Sequence, residues 1–159
     1  MTGRPDGAYV AALKMLARRE LSEAQVRARL TRRHFETEDI DTAVERLRRE
    51  RALDDRRTAL ACARTELHVR HRGRLRVLRQ VEALGIPKSV AQTAVNEVFT
   101  EVDEHELMVR ALERRLRGAT LADQAVARRV HRYLLSQGFD PGAVMQVLRN
   151  RSRLTIHDD

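Results

Sequence analysis

The feature that most restricts this chain is a pattern of apolar residues at helical spacing that recurs three times. Apolar side chains fall three and four apart almost throughout, the spacing of one buried helix face. Phe35, Ile86 and Phe139 occupy one equivalent position of the pattern, 51 and 53 residues apart. Arg33-His34, Leu84-Gly85 and Gln137-Gly138 stand just before them, and Val44, Val95 and Leu148 stand nine residues after. A unit of about fifty residues, read three times without internal gaps, is the mark of a repeat architecture. Each unit can bury only a small core, so neighbours lean on one another. The expected fold is all-α: three tandem three-helix repeats forming an elongated, curved array.

The punctuation supports nine helices. The first runs from about Tyr9, with Leu13, Leu16 and Ala17 on its apolar face. Ser22 and Gln25 form a capping box for the second, in which each side chain meets the other residue's free amide. Thr37 is the expected cap of the third, which carries Ile40, Val44 and Leu47. Leu53-Asp54-Asp55 opens a fourth through Leu60, Ala63 and Leu67, and Gly73 breaks it. The fifth carries Val77, Leu78, Val81 and Leu84 and ends at Gly85; Pro87 sits in the first turn of the sixth. Asp103 with Glu106 caps the seventh, which Gly118 stops, and Thr120 with Asp123 caps the eighth, which Gly138 stops. Asp140-Pro141 starts the ninth. The expected boundaries are a flexible N-terminal tail at 1–8, repeats at 9–52, 53–101 and 102–152, and a C-terminal tail at 153–159.

A core for such an array must be aliphatic here, because aromatics make up 3% of the chain and Trp is absent. The charge is distinctive: 31 Lys and Arg against 23 Asp and Glu give a net +8, and only Lys14 and Lys88 are Lys. An excess of positive charge points to a polyanionic partner, nucleic acid or a nucleoprotein surface. The run from Arg64 to Arg79 holds six Arg (64, 70, 72, 74, 76, 79) and one acid, Glu66. Arg72, Arg76 and Arg79 are spaced to share one outer helix face. Further basic clusters are Arg110, Arg114, Arg115 and Arg117; Arg128, Arg129 and Arg132; and Arg149, Arg151 and Arg153. Acids gather at Glu36–Asp41 and at Glu97–Glu106, so the array is banded in charge.

The residues offer no catalytic constellation: no Gly-rich phosphate loop, nucleophile elbow or zinc spacing. His68 and His71 are three apart on a helix, but the sequence around them supplies no further metal ligand, and the neighbouring Arg would repel a cation. Asp54 and Asp55 are read as capping groups. Cys62, the only cysteine, is read as a small buried hydrophobe and fits a reducing compartment. No stretch reaches the roughly 20 apolar residues of a membrane span. Met1–Gly7 are polar and lack the apolar segment of a signal peptide, so the expected location is the cytoplasm. No cofactor and no metal is expected, and a monomer is the simplest state.

Three ordered stretches resemble the RecX family, regulators of the RecA recombinase. They are Ala52-Leu53-Asp54-Asp55-Arg56; Gly73 through Ile86, followed by Pro87; and Arg128 through Leu134 leading to Gly138-Phe139 and Val144 through Leu148. The opening unit, Ala12 through Leu53, is similar too, so the likeness covers roughly residues 9 to 150. Two positions depart from the family pattern: Ala52 replaces an aromatic, and Thr58 stands where a Phe precedes Ala59. The resemblance implies a protein that binds the RecA–DNA filament in its groove and modulates, most often inhibits, recombinase and co-protease activities. Its expected contacts to filament or DNA are Arg64, Arg70, Arg72, Arg74, Arg76, Arg79, Arg110, Arg114, Arg115, Arg128, Arg129 and Arg132. Two other readings compete. A helical-repeat protein binding DNA directly, without sequence specificity, would lose affinity steeply with salt and need no recombinase. A plain protein-interaction scaffold would bind without any dependence on nucleic acid.

Overall fold

The computed structural model describes residues 5–156. Among them are nine α-helices and no strand: α1 (Pro5–Leu16), α2 (Glu23–Arg32), α3 (Thr37–Arg49), α4 (Asp55–Arg64), α5 (Arg74–Glu82), α6 (Lys88–Phe99), α7 (Glu104–Leu116), α8 (Gln124–Ser136) and α9 (Pro141–Ile156). A π-helical turn, Thr65–Val69, continues α4. Contacts gather the chain into two compact units. The first runs to Cys62 and adds Val81–Ala94; the second takes Ala63–Gln80 and everything from Val95 on. The middle three helices therefore divide between them.

In the first unit α1, α2 and α3 enclose an aliphatic core of Ala8, Ala12, Met15, Leu21, Val26, Leu30, Val44 and Leu47, with Phe35 and Tyr9 packed against it. The Ser22–Gln25 capping box is formed as expected, with both amide contacts at 3.1 Å. Ser22 is fully buried, and its hydroxyl also donates to the carbonyl of Leu84. Asp54 accepts from the amide of Arg57 at 3.0 Å, which fits a capping role at the start of α4. Asp55 instead reaches the first amide of α2, accepting from Glu23 at 2.9 Å. The Leu-Asp-Asp stretch thus caps two helices. Thr58 is 4% exposed, with its hydroxyl 3.1 Å from the Asp54 carbonyl. The hydroxyl is satisfied by its own helix, so this position is filled by a polar residue at no unmet hydrogen bond.

The second unit centres on α7, α8 and α9, with Met108, Leu112, Leu121, Val130, Leu134, Phe139 and Val144 as its core. Asp103 caps α7 through the amide of Glu106 at 2.9 Å, and Asp140 accepts from Ala143 at 2.9 Å at the start of α9.

The three aligned positions share a backbone conformation. His34, Gly85 and Gly138, each directly before the aligned Phe35, Ile86 and Phe139, have φ of +63°, +78° and +93°. Each is a left-handed residue that ends the second helix of its group. The resulting turns dock in like manner. A Cβ on Gly85 would lie 2.5 Å from that of Ala24, near the start of α2. A Cβ on Gly138 would lie 2.3 Å from the backbone nitrogen of Arg76, near the start of α5. In the second case two backbone bonds stitch the junction: Gly73 donates to Gln137 at 2.8 Å and Leu75 to Gly138 at 3.0 Å.

Several expectations need correction. α1 begins at Pro5, not Tyr9, because Pro suits a first helical turn, Asp6 answers the dipole and Ala8 is buried. Of the predicted N-terminal tail, 1–4 lie outside the described residues. α9 runs through Ile156, since no Gly or Pro interrupts it; 157–159 lie outside the described residues. Thr37 is the first residue of α3, whose cap position is Glu36 with no side-chain bond. Asp123 alone caps α8, its carboxylate 2.7 Å from the amide of Ala125; the Thr120 hydroxyl accepts from Ala122 at 3.1 Å in the turn before. Gly73 does not break a regular fourth helix, because α4 has already passed into the π turn, where Arg70 donates to Thr65 at 3.2 Å. The extra residue in this turn rotates the chain beyond it about the helix axis. Glu66 turns inward, to 5% exposure, while Val69 is left 70% exposed. Cys62 is half-buried rather than buried.

Candidate polyanion interface

The π turn decides the fate of the central Arg run. Buried Glu66 accepts an ion pair from Arg70 at 3.0 Å and a short one from Arg72. Arg72 precedes α5, so it does not share a helix face with Arg76 and Arg79 as its spacing predicts. Arg74 reaches Glu104 at 3.0 Å and the Asn96 side chain at 2.7 Å, with its guanidinium 4.9 Å from the centre of the Phe99 ring. Arg76 donates to the Ser136 carbonyl at 3.0 Å. Arg72, Arg74 and Arg76 are all half-buried. They fasten the second unit together, while Arg64 and Arg79 are exposed and pair with no described acid.

The other predicted residues also divide. Arg110 pairs with Glu106 at 2.5 Å in the open. Arg115 lies 5.1 Å from the centre of the Tyr133 ring. Arg114, Arg128, Arg129 and Arg132 are exposed without a described ion pair. Arg128 borders a groove of about 470 Å³ whose lining includes Ala127, His131, Met145, Leu148 and Arg149. His68 and His71 share a hollow of about 260 Å³ with Asp103, Glu106 and Arg110. Its carboxylates are already engaged, Asp103 by an amide and Glu106 by Arg110. Among the described residues no group of three or more His, Cys, Asp or Glu is placed to hold a metal ion.

The first unit holds a basic surface that sequence reasoning missed. Lys14, Arg18, Arg19, Arg29, Arg32 and Arg33 line one cleft of about 580 Å³ beside Met15. They come from the C-terminal ends of α1 and α2, so no single stretch contains the cluster. The available signal was the acid-free run from Ala24 through Phe35, which carries four Arg and one His. Elsewhere in this unit Arg27, Arg46, Arg48 and Arg57 each meet a carboxylate. Glu23 accepts Arg27 at 3.1 Å and Arg48 at 2.6 Å. Burial pushes the Glu23 carboxyl up, but the bonds and charge of Arg48 and Arg27 outweigh this and leave it below its ordinary value. Tyr9 donates to Glu50 at 2.5 Å, with Arg46 stacked 3.8 Å from its ring centre. The shared proton holds the Tyr9 hydroxyl above its ordinary value, and the same bond, aided by Arg46, holds Glu50 below its own.

Comparison with known proteins gives one consistent result. The family model described as RecX, first three-helix domain, matches residues 8–47. Regulatory protein RecX of Syntrophotalea carbinolica is 32% identical over 148 residues, covering 92% of this chain and 96% of that one. Its counterpart in Trichlorobacter lovleyi is 32% identical over 154 residues, covering 92% and 98%. Among solved structures, RecX from Lactobacillus salivarius superposes with a TM-score of 0.80 at 18% identity, covering 94% of this chain and 97% of that one. A second, titled regulatory protein RecX, gives 0.76 at 22% identity, covering 92% and 71%. The structural likeness establishes the fold, and the sequence likeness carries the kinship.

Proposed function

The chain belongs to the RecX family of regulatory proteins, and from that membership we propose that it binds the RecA–DNA filament and restrains the recombinase and co-protease activities of RecA. The observation that carries the reading is the near end-to-end likeness to regulatory relatives, which leaves little of the chain for a different task. Among the contacts expected from the sequence, those that are exposed in the second unit and that no described acid neutralises carry the binding: Arg64, Arg79, Arg114, Arg128, Arg129 and Arg132. Arg70, Arg110 and Arg115 stand beside them with looser internal partners. Arg72, Arg74 and Arg76 act indirectly, by holding the second unit in shape.

The protein works in this reading as a monomer in the cytoplasm, without cofactor or chemistry of its own. Among the described residues no helix is long and apolar enough to cross a membrane. The testing experiment is DNA-dependent ATP hydrolysis by the cognate RecA with this protein at substoichiometric amounts. Suppression at low ratios is expected. Unchanged hydrolysis at equimolar protein would overturn the proposal and favour plain DNA binding.

A further inference from the structure

We propose that the cleft between the C-terminal ends of α1 and α2 is a binding site for the phosphodiester backbone of a nucleic-acid strand, used without any recombinase. This goes beyond the regulatory reading, since a direct grip on nucleic acid in the first unit needs no filament protein.

Among the described residues the cleft is lined by six cations and one apolar side chain, and by no acid. None of the six forms an ion pair with a described residue, whereas Arg27, Arg46, Arg48 and Arg57 of the same unit each meet a carboxylate. Arg49, Arg51 and Lys88 are also without a described ion pair in this unit, but they lie outside the cleft, which gathers six such cations around one space. Cations near helix C-termini are favoured by the dipole, which accounts for one or two of them. It does not account for six facing one space, where mutual repulsion opposes the arrangement unless a polyanion fills it.

The ligand class is set by the lining. Five of the six are Arg, whose planar fork suits phosphate oxygens. Among the described residues Met15, 6% exposed, is the only apolar one lining the cleft, and no aromatic lines it to stack a base. Backbone contact without base readout is what such a surface offers. Its cations are spread over two helix ends and the turns just beyond them, which suits a run of phosphates better than a single one.

The test is fluorescence anisotropy of a labelled single-stranded oligonucleotide with the full chain, no RecA present, titrated with salt. Arg32→Gln with Arg33→Gln is compared with the control pair Arg49→Gln with Arg51→Gln, which removes the same charge from the same unit outside the cleft. Both pairs are first checked for unchanged helicity and melting. The cleft pair should weaken binding about tenfold or more and lower the salt slope by about 1.4, at about 0.7 per phosphate contact on a single strand, while the control stays near the parent. Tripolyphosphate should compete only at far higher concentration than unlabelled oligonucleotide. Equal loss in both pairs would reduce the effect to net charge and overturn the site. Equally tight tripolyphosphate binding would overturn the strand as ligand, and an undetectable parent complex would overturn both. None of these readouts involves RecA, so failure here leaves the regulatory proposal standing, and the reverse also holds.

Discussion

Replacing Gly138 by Ala should be among the most damaging single-methyl changes available in this chain. The new Cβ would lie 2.3 Å from both the backbone nitrogen and the Cβ of Arg76, and 2.8 Å from its Cα. Two of those atoms are backbone and the third is fixed to it, so the clash cannot be relieved by a rotamer change. The residue would also hold φ near +93°, where an L side chain is disfavoured by about 1–2 kcal/mol. Forced separation costs about 1–3 kcal/mol more. It would also stretch the Leu75–Gly138 and Gly73–Gln137 bonds, worth about 1 kcal/mol each. The expected loss is about 3–6 kcal/mol, against a stability of about 5–15 kcal/mol for a typical small protein. Gly118→Ala supplies the control. Its φ is +83°, but nothing lies within 4 Å of the added carbon, so only the backbone penalty of about 1–2 kcal/mol applies. Urea unfolding followed by circular dichroism measures both. If Gly138→Ala costs no more than Gly118→Ala, the docked turn does not hold the second unit together and the reasoning fails.

The buried charges give two further predictions. Glu66→Gln leaves the half-buried Arg72 facing a neutral amide, and should cost about 2–4 kcal/mol, less than a fully buried pair because Arg70 remains half open to water. It should also speed hydrogen exchange at the Arg70–Gly73 amides; unchanged melting and exchange would show that Glu66 is incidental. Glu23 has a folded pKa below its ordinary 4.5. Its contribution to stability is complete above that value and disappears as pH falls through the lower folded value. Glu23→Gln should therefore flatten the acid limb of the melting curve below about pH 4.5, and a parallel limb would contradict this.

Much of the fold was legible because local chemistry and global packing agree. Gly85, Gly118 and Gly138 mark helix ends that their positive φ requires, and the Ser22–Gln25 and Asp103–Glu106 caps use partners only three residues away. What escaped depends on distant partners. No spacing rule reveals that Asp55 caps α2, or that Arg76 serves a carbonyl at Ser136. The π turn at Thr65–Val69 lacks any Gly or Pro to announce it, and α5 begins only at Arg74, which leaves Arg72 off the face it was assigned to share with Arg76 and Arg79. His34, Arg51, His71 and Arg117 adopt left-handed backbones that residue type did not signal. The basic cleft of the first unit was invisible for the simplest reason, that its two halves lie on different helices.

The central claim is that exposed, unneutralised cations of the second unit grip the recombinase filament. Its most direct measurement is co-sedimentation of this protein with preformed RecA–single-stranded DNA filaments, comparing the parent with Arg79→Glu, Arg128→Glu and Arg132→Glu combined. The account predicts filament binding by the parent and a loss of about tenfold or more in the triple variant, whose isolated melting is unchanged. Equal recovery of parent and variant in the filament pellet would contradict it.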